Sequence, residues 1–300
     1  MQLDQLRTLQ AIVVEGSFEG AALALHVTPS AVSQRIKALE AEVGRVLVRR
    51  STPCEVTDAG APLLRMARQV DLLEAEARSE LGLAEGRRTI VSVAINADSL
   101  ETWLKPLLHV AATWPDLSLH IEVEDQEHSV DNLRRGQVCG AVCVAPQPVS
   151  GCRVVPLGAM RYLPVAAPAL RDAHRLGRSV DWSAMPVMQF NRKDDLQGAF
   201  LRERGVETAP PTAQVPSPSG FYEAVRAGLG WGLVPELQLA DDLRTGRLVR
   251  LDARRHVDVE LAFQVWSLAS EPVTRLTAAI TDCARALRHG PAPRQNESHL

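Results

Sequence analysis

The sequence predicts an α/β chain with an N-terminal winged helix-turn-helix, a long connecting helix and a two-lobed α/β domain. Three observations predict it. Two capped amphipathic helices and a polar hairpin fall within residues 17–56, an apolar line at three- and four-residue spacing runs through 63–81, and strands alternate with helices from residue 89 onward. Three hundred residues suffice for two or three domains, each with its own core. At 46% hydrophobic and 23% charged residues the composition is that of a globular protein. No run approaches the roughly 20 apolar residues of a membrane helix, and the opening MQLDQLRTLQ has no basic segment before an apolar one, so the expected setting is cytoplasmic and away from membranes.

Residues 3–14 are apolar at Leu3, Leu6, Leu9, Ile12 and Val13, a stripe suited to support two further helices from behind. Ser17 can cap the second helix, whose apolar face is Phe18, Ala21, Ala22 and Leu25. Thr28 caps the third, Pro29 sits where no amide hydrogen is needed, and Val32, Ile36 and Leu39 fall on the buried side. The outer side then carries Ser30, Ser33, Gln34, Arg35 and Lys37. Gln can pair with adenine edges, Arg with guanine or phosphate, and hydroxyls at a helix start with phosphate. Between residues 26 and 53 the cations Arg35, Lys37, Arg45, Arg49 and Arg50 exceed the anions Glu40 and Glu42 by three, in a chain whose net charge is −3. Val46 to Val48 and Val56 flank a polar turn and form the wing, with Arg49 and Arg50 as phosphate contacts at its base. The expected DNA-binding set is therefore Ser17, Thr28, Ser30, Ser33, Gln34, Arg35, Lys37, Arg49 and Arg50. Paired amphipathic helices also occur in proteins that never touch DNA, and periodicity alone does not separate the two cases.

Thr57 and Asp58 open a helix without Gly or Pro from 63 to 81, in which Leu63, Met66, Val70, Leu73 and Ala77 form a coiled-coil seam and point to a homodimer. Residues 82–88 read as a hinge. Beyond it strands are expected at 89–95, 117–123, 138–144, 162–166, 187–190 and 257–266. Helices are expected at 100–113, 130–135, 195–204, 221–227 and 273–288. The five cysteines, Cys54, Cys139, Cys143, Cys152 and Cys283, lack metal-site spacing, and Cys139 and Cys143 read as buried strand residues. Residues 291–300 have the composition of a disordered tail.

The segment from 3 to 64, LRTLQAIVVEGSFEGAALALHVTPSAVSQRIKALEAEVGRVLVRR followed by VTDAGAPLL, resembles the DNA-binding domain of LysR-type transcriptional regulators. The marked positions are Gly16, Ser17, Phe18, Ala21, Ala22, Ser30 to Ser33, Ile36, Leu39, Glu40, Gly44, Leu47, Arg50, Thr57 and Gly60. Val48 stands where that family usually has Phe, a change expected to alter packing under the wing. The run AGLGWGLVPE, 227–236, resembles the Gly-rich turn and apolar strand of the family's second lobe. The resemblance implies a winged helix-turn-helix over 1–57, a linker dimerisation helix and hinge over 58–87, and a periplasmic-binding-protein-like effector domain over 88–290. Lobe I is then 88–160 and 267–290, and lobe II 161–266. It also implies dimers that often form tetramers, double-stranded promoter DNA and RNA polymerase as partners, and action as an activator at some promoters.

Ligands in open α/β sheets sit beyond the carboxyl ends of strands. The candidate effector set is thus Asn96, Asp98, Ser99 and Trp103 after the first strand, Glu124 and Asp125 after the second, and Asp194, Asp195 and Ser219 from the second lobe. Helix starts at Ser99 and Ser219 would hold a carboxylate, and the acids would hold a cation. NADSLETW, VEDQEH, LRRGQVCGAV and GAMRYLPVA resemble the ArgP and LysG branch of the family, whose members sense lysine, arginine and sometimes histidine and control basic amino-acid export and metabolism. No cofactor beyond such a co-effector is expected. No Gly-x-Ser-x-Gly elbow, phosphate loop or His-Glu-x-x-His pattern is present, which argues against an enzyme. The alternatives that sequence leaves open are a nucleoid-associated protein with an unresponsive cleft and a LysR-type regulator of another small molecule.

Overall fold

A computed structural model describes residues 1–83, 88–123, 126–144 and 148–289. Glu124 and Asp125, residues 84–87 of the expected 82–88 hinge, and the expected tail at 291–300 lie outside the described residues. Contacts divide the chain into two compact units. The first comprises Met1–Asn96, His109–Val155 and Phe263–Ile280, and the second comprises Ala97–Leu108, Pro156–Ala262 and the described residues from Thr281 on.

The first unit opens with helices α1 (Leu3–Glu15), α2 (Phe18–Ala24) and α3 (Pro29–Val43), then the wing strands β1 (Val48–Arg49) and β2 (Glu55–Val56), and helix α4 (Ala61–Glu80). Leu9, Ile12, Ala21, Ala22, Val32, Ile36, Leu39, Leu47, Val48, Val56 and Leu64 make one buried cluster, so the spacing read from sequence packs except at Leu3, which begins α1 and is 50% exposed. Strand β3 (Thr89–Ile95) follows, with α5 (Ala97–Glu101) and α6 (Lys105–Ala111) where one longer helix is expected, then β4 (Leu117–Val123), α7 (Gln126–Arg134) and β5 (Gly140–Val144). Strand β3 lies between β4 and β5 and is parallel to both. Cys139 and Cys143 are buried beside and within β5, and burial pushes the Cys139 thiol up to about 12.

Strand β6 (Cys152–Ala166) runs on from the first unit into the second; only its last five residues are legible as a strand in sequence, because Arg153 and Pro156 interrupt the apolar run. The second unit continues through α8 (Pro168–Ala173), the small hairpin β7 (Arg175–Leu176) and β8 (Ser179–Val180), β9 (Val187–Gln189), α9 (Leu196–Arg202), β10 (Thr212–Gln214), α10 (Pro218–Arg226), β11 (Gly232–Pro235), α11 (Ala240–Thr245) and β12 (Val249–Arg250). Strand β13 (Val257–Trp266) returns to the first unit, and α12 (Glu271–Cys283) ends the chain's long elements. Strand β11 pairs antiparallel with β6 in the register Pro235 opposite Tyr162, and Leu163, Val165, Met188, Phe221, Val225, Val234, Leu239 and Leu248 form the core beneath. Residues 97–108 and those from 281 on group with this second unit, whereas the sequence places them in the first lobe; α5 touches α10, and Arg288 bridges to Ala159 and pairs with Glu236.

Helix α4 has two faces. Its inner face, Leu64, Ala67 and Leu72, is buried within its own chain. Arg7 of α1 pairs with Glu74, Gln10 donates to Asp71 at 2.7 Å, and the Arg68 guanidinium donates to the carbonyls of Gly136 and Gln137. Gly136 has a φ of +69°, and a Cβ there would stand 2.8 Å from the Arg65 amide nitrogen, so glycine lets the loop close onto the helix. The helix thus packs on its own chain as well as presenting the seam expected from sequence. The outer face nevertheless leaves Met66 39% and Leu73 44% exposed, with Ala77 exposed and Leu63 and Val70 half-buried. No helix among the described residues is long and apolar enough to cross a membrane.

Candidate DNA-binding and effector sites

The N-terminal reader is built by its caps. The Ser17 hydroxyl accepts from the Gly20 amide at 2.9 Å and the Thr28 hydroxyl from the Ala31 amide at 3.2 Å, so both serve the helix starts that α2 and α3 need. On α3 the side chains of Ser30, Gln34 and Lys37 are exposed at spacings of four and three, and Ser33 is half-exposed beside them. Arg35 takes another direction. Its guanidinium lies 3.6 Å from the Asp4 carboxylate and 3.5 Å from the Thr8 hydroxyl, against α1 rather than on the open face. Arg49 and Arg50 are exposed on the wing, and the Arg50 guanidinium lies 4.7 Å over the Phe18 ring, which fixes its direction while leaving it charged toward solvent. Val48 is 4% exposed in the cluster under the wing, as its position predicts.

Three residues set the wing's place. The Glu40 carboxylate accepts from the Leu47 amide at 2.8 Å, tying the end of α3 to the first wing strand. Thr57 donates from its hydroxyl to the Val46 carbonyl at 2.8 Å and accepts from the Gly60 amide at 3.1 Å. At Gly60 a Cβ would stand 2.3 Å from the Leu47 carbonyl oxygen, so any side chain there displaces the wing. Exposed cations at Lys37, Arg49 and Arg50 and an exposed amide side chain at Gln34 are the groups that contact to a phosphate backbone and to base edges requires.

The candidate effector residues on α5 lie in the second unit. Asp98 sits in the first turn of this helix, and its Oδ2 accepts from the Tyr162 hydroxyl at 2.8 Å. Tyr162 stands on β6 and is 3% exposed. Burial pushes the Asp98 carboxyl above its ordinary value; the tyrosine's hydrogen bond opposes that rise, and the negative charges of Asp194 and Glu101 add to it. Burial and the facing Asp98 carboxylate push Tyr162 well above its own ordinary value, so it stays a donor at neutral pH. Among the described residues no cation pairs with Asp98.

The other expected effector residues divide. Asp194 reaches this site electrostatically, but its two oxygens accept from the Phe190 amide and the Leu196 amide, each at 3.1 Å, so it also closes the loop before α9. Asp195 is exposed and paired with Arg202, which holds its carboxyl below the ordinary value. Ser99 is fully buried within α5, which begins at Ala97. Ser219 is exposed one residue inside α10, and the cap is Ser217, whose hydroxyl accepts from the Gly220 amide at 3.3 Å. Asn96 is buried at the end of β3, and Trp103, 2% exposed, is packed into the interior. Tyr162 is the residue sequence reasoning missed. Its partner lies 64 positions away, and only the run GAMRYLPVA, already part of the resemblance, marked it. No cluster of three potential metal ligands occurs among the described residues.

Comparison with known proteins identifies the family. Residues 3–61 match the bacterial regulatory helix-turn-helix protein, lysR family, and residues 84–291 match the LysR substrate binding domain. The lysine export transcriptional regulatory protein LysG of Corynebacterium glutamicum is 49% identical over 284 residues, covering 93% of this chain and 97% of that protein. The solved full-length LysG from Corynebacterium glutamicum with bound effector Arg superposes with a TM-score of 0.82 at 47% identity, covering 96% of this chain and 100% of that one. The crystal structure of ArgP from Mycobacterium tuberculosis gives a TM-score of 0.87 at 45% identity over 96% of this chain and 98% of that one. Matched by both family models and, over nearly its whole length, by such relatives, this chain belongs to the LysR family of bacterial helix-turn-helix transcriptional regulators.

Proposed function

We propose that this regulator reads the supply of a basic amino acid, arginine or lysine, and controls genes of basic amino-acid export or metabolism. One observation carries the reading: Asp98, held by a tyrosine hydroxyl beside a second acid, has no cation of its own among the described residues. A guanidinium or ammonium group on a ligand supplies the missing partner. The arginine bound to the LysG structure supports that chemistry.

In this reading residues 1–57 bind double-stranded promoter DNA, 58–87 link and pair subunits, and 88–290 bind the effector. Ser30, Ser33, Gln34 and Lys37 face the groove, Arg49 and Arg50 hold phosphates, and Met66, Leu73 and Ala77 form the seam of a homodimer, which two-fold half-sites favour. Ligand binding then biases one arrangement of a dimer or tetramer on promoter DNA and alters RNA polymerase recruitment in the cytoplasm. Calorimetric titration of the full chain with arginine, lysine, histidine and leucine tests it. Saturable binding of arginine or lysine and none of leucine is expected; equal binding of leucine, or no binding while promoter DNA is still held, overturns the effector class.

A further inference from the structure

We propose that Tyr162 sets the preference for cationic ligands by orienting the Asp98 carboxylate, holding Oδ2 and leaving Oδ1 to face the ligand's guanidinium or ammonium. This rests on the reading of the Asp98 site given above. The geometry is one-sided. The hydroxyl sits 2.8 Å from Oδ2, on a strand locked by its register with β11, whereas Asp98 is on a five-residue helix with no other side-chain donor to its carboxylate among the described residues.

The surroundings supply no substitute. Glu101 on α5 and Asp194 before α9 are both negative toward Asp98. On α10, which touches α5, Arg226 pairs with Glu223 and Asp242. A single neutral donor therefore opposes the protonation that burial favours and aims the carboxylate in a site of like charge. Without it the carboxyl takes a proton at higher pH and turns freely about its last torsion, and the distinction between a cation and its neutral isostere fades.

The test compares arginine with citrulline, its neutral near-isostere, in calorimetric titrations of the full chain from pH 5 to 8. For Tyr162→Phe, arginine affinity is expected to fall about tenfold, the strength of one charge-assisted hydrogen bond, with citrulline nearly unchanged. The pH at which arginine affinity is half lost moves upward. Added to Asp98→Asn, Tyr162→Phe changes nothing further, because the two residues act as one unit. Should Tyr162→Phe fold poorly, Asp98→Glu keeps the charge but displaces the carboxylate by a methylene, and the same collapse of the arginine-to-citrulline ratio is expected. Equal losses for both ligands, or an unchanged ratio and pH profile, overturn the role of Tyr162. A wild-type ratio that survives Asp98→Asn overturns the underlying site instead.

Discussion

Asp98 and Asp242 both lie in the second unit and both accept a hydrogen bond from a tyrosine hydroxyl, at 2.8 Å from Tyr162 and 2.7 Å from Tyr222. Their surroundings then part. Asp242 is 3% exposed, yet Arg226 stands 2.9 Å from one oxygen and Arg247 pairs with the other. Burial raises its carboxyl, but the hydrogen bonds from Tyr222 and Arg247 and the charges of both arginines hold it below the ordinary value. At Asp98 burial works in the same direction, and only the tyrosine opposes it. Burial and a tyrosine are common to both; the arginines decide the sign. A buried acid surrounded by its own cations is finished structure, and in the function proposed above one lacking them is a place for a ligand's cation.

The largest expected effect breaks the finished site. Asp242→Asn leaves Arg226 and Arg247 facing a neutral amide, and the half-exposed arginines limit the loss to about 2–4 kcal/mol, a fall in melting temperature of roughly 5–10 °C. Asp98→Asn in the same thermal scan is expected to match the wild type or exceed it by up to about 1 kcal/mol, because it removes a charge that folding does not compensate. It also costs arginine roughly 100-fold in affinity, the strength of a lost charge pair. A comparable drop in stability for Asp98→Asn would make Asp98 structural and dissolve the contrast.

Acid titration sharpens it further, because the two carboxyls contribute with opposite sign. Asp98 has a folded pKa above 3.8, so the folded state binds more protons between 3.8 and that raised value, and its contribution to stability falls as pH rises through the window. Asp242 has a folded pKa below 3.8; its contribution is complete above 3.8 and is lost as pH falls through the depressed value. Urea midpoints from pH 3 to 7 for wild type and the two Asn variants check this. The excess stability of wild type over Asp242→Asn should shrink on acidification, and any deficit against Asp98→Asn should also shrink.

What was legible in the sequence follows the distance over which each feature is determined. The caps at Ser17 and Thr28, Pro29 and the apolar spacing of α3 act within one or two turns, and the reader's helices form where that spacing places them. Strands β3, β4 and β13 were legible for the same reason, being apolar runs bounded by polar turns. The spacing of α3 puts Arg35 toward the groove, yet its direction depends on Asp4 and Thr8 of another helix. Asp195 looked equivalent to Asp194 until Arg202 took one and the backbone amides the other. Tyr162 is marked in the sequence only by the resemblance of its run and not by its chemistry, since its meaning lies in a carboxylate on a different element. Local chemistry places helices; the charge of a site depends on which elements tertiary packing brings together.

A third acid gives the smallest effect and tests whether exposure grades the contrast. Asp252 pairs with Arg204 and accepts from the Arg254 and Arg255 amides, which together hold its carboxyl down to about 2 against the opposing effect of burial. Arg204 is also held without it, lying 4.4 Å over both the Trp182 and Phe200 rings. Asp252→Asn therefore leaves the guanidinium stacked on two aromatic faces and able to reach water. The expected loss is about 1 kcal/mol at pH 7, less than the displacement of the carboxyl alone would give, because solvent screens a side chain still 23% exposed. That contribution is present above 3.8 and is lost as pH falls through the folded value of about 2, so the urea midpoints of wild type and Asp252→Asn should draw together on acidification and meet only below that value. A loss as large as that of Asp242→Asn would mean that the aromatic rings hold Arg204 only while Asp252 is charged.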